Sequence, residues 1–263
     1  MARPTALITG ASAGIGAEFA RIFAANGYDL VLVARREERL NALRDELEAS
    51  GADVLVLAKN LALRTAAKSL HKELVGRGRA IDVLVNNAGV AYGGAFTAMS
   101  ADDVSRMVLL NAATLASLTH LLLTDMVARG SGRILNIASL SAYQAVPTLS
   151  LYAATKAFVL SFTEGLAEEL KGTGVTATAL CPGFTATDMV QEIGRGRALP
   201  GVPAFLQSDV KDVAQQGFDA CMAGEVVRVP GIANQLSALW SQTQPRWLVR
   251  TVSGMIGRQL LKP

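Results

Sequence analysis

The sequence predicts an α/β domain: a parallel sheet with helices packed on both faces. Three observations carry that prediction. Short runs rich in Val, Leu and Ile alternate through residues 5–180 with longer segments of helical patterning. The short runs are apolar on both faces, as strands buried between two helical layers must be. The first run leads straight into a glycine-rich turn that opens a helix. Strands separated by helices of this length pair in parallel through right-handed crossovers.

In order along the chain, Thr5–Thr9 is the first strand. The turn Gly10-Ala11-Ser12-Ala13-Gly14-Ile15-Gly16 follows, and a helix over 15–26 is closed by Gly27. Leu30–Val33 is the second strand, and the charged stretch 37–50 reads as a solvated helix stopping at Gly51. A third strand at Val54–Leu57, a helix over 65–75 and a fourth strand at Val83–Val85 come next. A long helix or helix pair covers 101–128, then a strand at 134–138, a helix over 150–171 and a strand at Val175–Leu180. Residues 190–209, rich in Gly, Pro and Arg, break the rhythm; just past a strand's carboxyl end, such a stretch predicts a lid over a site. From Arg246 the tail mixes apolar residues with arginines and predicts an amphipathic helix, docked on its own domain, on a partner subunit or on a membrane surface. The expected organisation is a single domain over 1–230, a substrate lid at 190–210 within it, and a C-terminal helical extension over 231–263.

Composition narrows the class. With 263 residues, 51% of them apolar, the chain can bury one sizeable core. The net charge is +3, but the basic residues form no tract, which argues against a nucleic-acid partner. Two cysteines, Cys181 and Cys221, are too few for a disulfide framework or a zinc site. No metal is expected, and a reducing, cytoplasmic compartment is. The N-terminus has no signal-peptide layout, and no apolar run reaches the ~20 residues that span a bilayer.

The chemistry concentrates in a few segments. Tyr152 and Lys156 stand four apart in a predicted helix, so they share one face. An ammonium there is expected to favour the phenolate and lower the tyrosine pKa from about 10, making Tyr152 an acid or base near neutrality. Ser139 follows the apolar run 133–138, at the carboxyl end of a strand, where open α/β sheets bind ligands. The glycine turn lets backbone approach a pyrophosphate, and the helix behind it offers free N–H groups. Arg35 and Arg36 end the second strand where an NAD-binding chain usually carries a carboxylate; a guanidinium suits a 2′-phosphate, so NADP(H) is expected over NAD(H). Asn86-Asn87-Ala88-Gly89 and Pro182-Gly183-Phe184-Thr185-Ala186-Thr187 follow two further strands; alone each is a turn signal. Ala142, Val146, Leu149, Leu151, Phe184 and Met189 lie near these motifs in sequence and predict an apolar substrate pocket.

Taken together, these residues resemble the short-chain dehydrogenase/reductase family. Gly10, Gly14 and Gly16, the 86–89 segment, Asn111, Ser139, Tyr152, Lys156 and Pro182-Gly183 run in the family's order across residues 5–190. The resemblance implies a Rossmann fold with a doubly wound, seven-stranded parallel sheet and a nicotinamide cofactor. It implies Tyr152 as proton donor in carbonyl reduction, or base in alcohol oxidation. Lys156 would lower the pKa of Tyr152 and bond the nicotinamide ribose, Ser139 would bond the substrate oxygen, and Asn111 would hold a water linking Lys156 to solvent. The implied cofactor contacts are Gly10, Ser12, Ala13, Gly14, Ile15 and Gly16, then Arg35 and Arg36, then Asn60, Leu61, Asn87, Ala88 and Gly89 on the adenosine side. Tyr152, Lys156, Pro182, Gly183, Thr185 and Thr187 complete them at the nicotinamide. Asn60 departs from the family's usual acidic residue, though its amide can still bond adenine. Homodimers or homotetramers are implied through the helices that carry Asn111 and Tyr152. The expected function is hydride transfer between NADP(H) and the carbonyl or secondary alcohol of a small apolar molecule. A non-catalytic NADP(H)-binding sensor and a methyl-donor transferase are the alternatives; the intact Ser139/Tyr152/Lys156 set counts against both.

Overall fold

The computed structural model describes residues 3–185 and 207–260. Six longer strands follow the expected alternation: β1 (Thr5–Thr9), β2 (Asp29–Ala34), β3 (Val54–Ala58), β4 (Val83–Asn86), β5 (Gly132–Ile137) and β6 (Val175–Leu180). Phe184–Thr185 (β7) and Gln207–Ser208 (β8) pair in a separate two-stranded ladder, and Val227–Arg228 (β9) closes the main sheet. The main sheet is seven-stranded and parallel, in the order β3-β2-β1-β4-β5-β6-β9. Chain order reverses between β1 and β4, which opens a crevice at the carboxyl ends of those strands.

Helices α1 (Gly14–Ala25), α2 (Glu37–Glu48), α3 (Ala66–Gly76), α4 (Ala101–Val108), α5 (Leu115–Arg129), α6 (Ser150–Glu169) and α7 (Val210–Ala223) cover the two faces. Neighbouring strand residues point to opposite sides, so each strand feeds two cores. Ile8, Leu32, Val85 and Leu135 pack under α1 and α7 with Phe19, Phe23 and Phe218. Leu7, Val31, Leu84 and Ile134 pack on the other face under α3 and α5, with Leu70, Leu74, Leu118 and Met126. Each such fully buried side chain contributes roughly 1.5–3 kcal/mol.

The expected helix or helix pair over 101–128 is one continuous helix, Ala101–Arg129, in which Leu109–Thr114 widens to a π turn. By length and composition this helix could cross a membrane, which corrects the expectation that no segment could. The apolar run is interrupted by Ser, Thr and Asn, so it is easily missed in sequence. Met107, Asn111, Leu115, Leu118, Leu122 and Met126 are buried against the protein's own core, as suits an interior helix. The extension folds as α8 (Ile232–Thr243) and α9 (Arg246–Leu260).

Candidate active site

Local sequence builds the crevice from the first turn onward. Gly10 has φ +67°, and a Cβ there would meet Asn87 Nδ2 at 2.8 Å and Ala88 Cα at 2.9 Å. Only glycine fits that backbone and that gap. The close approach is braced by hydrogen bonds. Asn87 Nδ2 donates to the carbonyls of Thr9 (3.0 Å) and Gly10 (3.2 Å). Thr9 Oγ1 accepts from the backbone N–H of Asn87 and of Ala88, each at 3.0 Å, and donates to Val85 O at 3.2 Å. The amide of Asn87 is therefore spent on holding the glycine loop, while its backbone lines the crevice.

Behind the loop, α1 starts with no side-chain cap at Ala13 and no acidic residue in its first turn. Ser12, Ala13, Gly14 and Ile15 line the crevice, and the leading N–H groups of a helix have no partner within the helix itself. Arg36 Nε and Nη2 donate to Ser12 Oγ at 3.3 and 3.2 Å, and Arg35 lies exposed beside it on the same cavity. Asn60 also lines the cavity, its Oδ1 accepting from Ala62 N at 3.0 Å. An uncapped helix N-terminus next to two guanidinium groups is chemistry for phosphates, so the residues present fit a phosphorylated dinucleotide.

At the other end, Ser139 follows β5 and caps a short 3-10 turn, Leu140–Tyr143, by accepting from Ser141 N at 3.1 Å. Lys156 is 4% exposed; its Nζ donates to Ile137 O at 2.7 Å and sits 5.7 Å from the centroid of the Tyr152 ring. Burial pushes the Tyr152 phenol up to about 12, opposed by a hydrogen bond with Ser139. Burial also draws Lys156 down to about 8, opposed by Cys181. This corrects the expected depression of the tyrosine. Helical spacing brings the amine to the ring, but loss of water costs the phenolate more than its neighbours return.

Asn111 is 1% exposed in the π turn. Its Oδ1 accepts from Val90 N at 2.9 Å, and its Nδ2 donates to Val90 O at 2.9 Å and to Thr155 Oγ1 at 3.1 Å. Thr155 Oγ1 in turn donates to Tyr152 O at 2.8 Å. Both amide hydrogens are taken by protein, so the side chain braces α6 and the Val90 segment. Nearby, Asn86 Nδ2 donates to Thr119 Oγ1 (2.9 Å) and to Asn136 Oδ1 (2.8 Å), and Asn136 Nδ2 donates to Thr163 Oγ1 (2.9 Å).

One cavity of about 670 Å³ joins the two ends. Among the expected site residues, Gly16 and Asn111 stand behind its wall, and Thr187 lies outside the described residues, as do Met189 and positions 190–206 of the expected lid. The others line the cavity. Val146, Leu149 and Phe184 line it as expected; Ala142 and Leu151 do not, and Ala142 packs into the small core beside β6. Sequence reasoning missed Arg106, Gln144, Ser237, Trp240, Val252 and Ser253. Four of these come from α8 and α9, which are tied in by Gln144 Oε1 accepting from Ser253 Oγ at 3.1 Å and Ser241 Oγ at 3.5 Å. No local pattern announces that a terminal helix pair folds back onto a distant pocket. Among the described residues, no cluster of His, Cys, Asp or Glu could hold a metal ion.

Comparison with known proteins places this geometry. A family model described as short chain dehydrogenase matches residues 4–198. The ketoacyl reductase HetN of Nostoc sp. is 36% identical over 185 residues, which cover 69% of this chain; the chain spans 63% of that relative's length. A solved short-chain dehydrogenase from Sphingobium yanoikuyae, in complex with NADPH, superposes with a TM-score of 0.81 at 34% identity, over 99% of this chain and 98% of that one. A bulky-bulky ketone specific alcohol dehydrogenase from Comamonas testosteroni gives 0.77 at 30% identity, over 99% and 97%.

Proposed function

The chain belongs to the short-chain dehydrogenase family of oxidoreductases, and we propose that it moves hydride between NADP(H) and the carbonyl or secondary alcohol of a bulky, mostly apolar molecule. The observation that carries this reading is one cavity with Arg35 and Arg36 on its wall at one end and Ser139, Tyr152 and Lys156 at the other. The bound nicotinamide supplies or accepts the hydride. The chain's own part is to place charge and move a proton. With NADP(H) bound, Arg35 and Arg36 would hold the 2′-phosphate and the N-terminus of α1 would hold the pyrophosphate. In reduction, negative charge grows on the substrate oxygen, and two hydroxyl donors, Tyr152 and Ser139, meet it. Tyr152 gives up its proton, and the Lys156 ammonium, anchored on Ile137 O, holds positive charge beside the ring. A phenol near 12 is fully protonated at neutral pH, so the proton to be donated is in place before hydride transfer.

The cavity volume falls in the range of small-molecule sites. Val146, Leu149, Phe184, Trp240 and Val252 give its substrate end an apolar wall. The likeness to the NADPH complex and to the ketone-specific enzyme supports the cofactor and the substrate class. Exposed Val108, Val127 and Phe158 on the helices that carry Asn111 and Tyr152 support a homo-oligomer. Free, buried Cys181 and Cys221 support a cytoplasmic setting. The test is NADPH consumption over a panel of aryl and cyclic ketones and small charged keto acids. Turnover confined to the bulky apolar members is the expected result. Tight NADPH binding with no turnover on any member would favour the sensor reading instead.

A further inference from the structure

The C-terminal extension has a charge pattern unlike the rest of the chain. All 22 Asp and Glu residues lie within 1–225. The 38 residues from Val226 to Pro263 hold none, against five cations: Arg228, Arg246, Arg250, Arg258 and Lys262. Arg228 is partnered by Glu225, whereas Arg246 and Arg250 are exposed.

The same segment exposes large apolar side chains in register. Ile232, Leu236 and Leu239 fall on one stripe of α8, at offsets of four and three, and are 76%, 62% and 57% exposed. On α9, Trp247 is 62% and Met255 50% exposed. The buried sides of these helices are used differently, since Ser237, Trp240, Val252 and Ser253 wall the cavity. Each helix thus has an inner face on the pocket and an apolar outer face, and α9 adds the exposed cations Arg246 and Arg250.

We propose that the outer face of α8 and α9 docks on an anionic phospholipid surface. The apolar stripe enters the boundary between headgroups and acyl chains. Trp247 sits at that boundary, as indoles do in membranes, and Arg246 and Arg250 meet lipid phosphates. A second copy of the chain fits this face poorly, because a twofold contact sets the patch against itself and brings acid-free, cationic surfaces together. A nucleic acid would leave the apolar stripe without a partner. Docking here places the pocket wall against the phase in which an apolar ketone or alcohol dissolves. The proposal does not depend on the cofactor or on turnover.

The test is co-sedimentation of the full chain with phosphatidylcholine vesicles and with mixed phosphatidylcholine–phosphatidylglycerol vesicles. At low salt, binding to the mixed vesicles is expected to exceed binding to the neutral ones by at least about tenfold, and to weaken as salt is added. Leu236→Asp with Leu239→Asp, or Arg246→Ser with Arg250→Ser, should abolish it; these positions lie outside the cavity, so thermal melting serves as the folding control. Equal binding to both vesicle types, or none by the unaltered chain, overturns the proposal without recourse to any variant. So does a dimer in lipid-free buffer that Leu236→Asp with Leu239→Asp dissolves, since the patch would then belong to a second copy.

Discussion

Tyr152 and Lys156 show how far residue-scale reasoning reaches. The four-residue spacing was legible, and the two side chains do meet. The electrostatic outcome was not legible, because it depends on burial, which sequence spacing does not record. Lys156, held near 8 instead of its ordinary value near 10.5, gives a pH dependence with a definite sign. Below pH about 8 the ammonium is present and supports charge on the substrate oxygen; above it the charge is lost while Tyr152, near 12, keeps its proton. The kcat/KM for ketone reduction should be level at neutral pH and fall above pH about 8. A profile flat to pH about 10 would contradict the assignment. The arginines provide a second residue-scale prediction. Replacing Arg35 and Arg36 by alanine together should weaken NADPH binding by at least about tenfold and leave NADH binding nearly unchanged, as read by fluorescence titration. Equal losses for both cofactors would remove the 2′-phosphate from their role.

At the scale of elements, the glycine loop, α1 and the 86–89 turn were legible as motifs, but their mutual bracing was not. The roles of Thr9 and Asn87 emerge only when β1 and β4 lie side by side. The Asn86–Asn136–Thr163 chain likewise joins β4, β5 and α6, elements far apart in sequence. Asn136→Leu leaves one amide hydrogen of Asn86 without its buried acceptor, at a cost of about 1–3 kcal/mol, and removes one of the two bonds of Thr163 Oγ1, which keeps Val159 O. The melting temperature should fall by several degrees, at about 2–4 °C per kcal/mol for a domain of this size. An unchanged melting curve would show that the network contributes little. The helix pair α8 and α9 makes a prediction of its own. Trp240→Ala enlarges the substrate end of the cavity, so KM for a bulky ketone should shift while NADPH affinity stays the same. A change in NADPH affinity without a change in ketone KM would place Trp240 at the wrong end.

For the whole molecule, most of the architecture was open to reading. Runs such as Leu30–Val33 and Val83–Val85 are apolar on both faces because both faces are covered, and that alone marks a parallel sheet between helical layers. The seventh strand, Val227–Arg228, is too short to declare itself and came from the resemblance. The fold's main service to chemistry is to bring the ends of β1, β2, β4, β5 and β6 to one crevice, so that residues 10, 35, 87, 139, 156 and 183 share a single cavity. The most direct test lies in the rate of one turnover with saturating NADPH and a bulky ketone, compared between the unaltered chain and Tyr152→Phe, with the NADPH dissociation constant measured for both. A loss of roughly 10²–10⁴ in rate at unchanged NADPH affinity is expected for removal of a proton donor. A Tyr152→Phe rate within about threefold of the original, at full cofactor occupancy, would show that the proton comes from elsewhere.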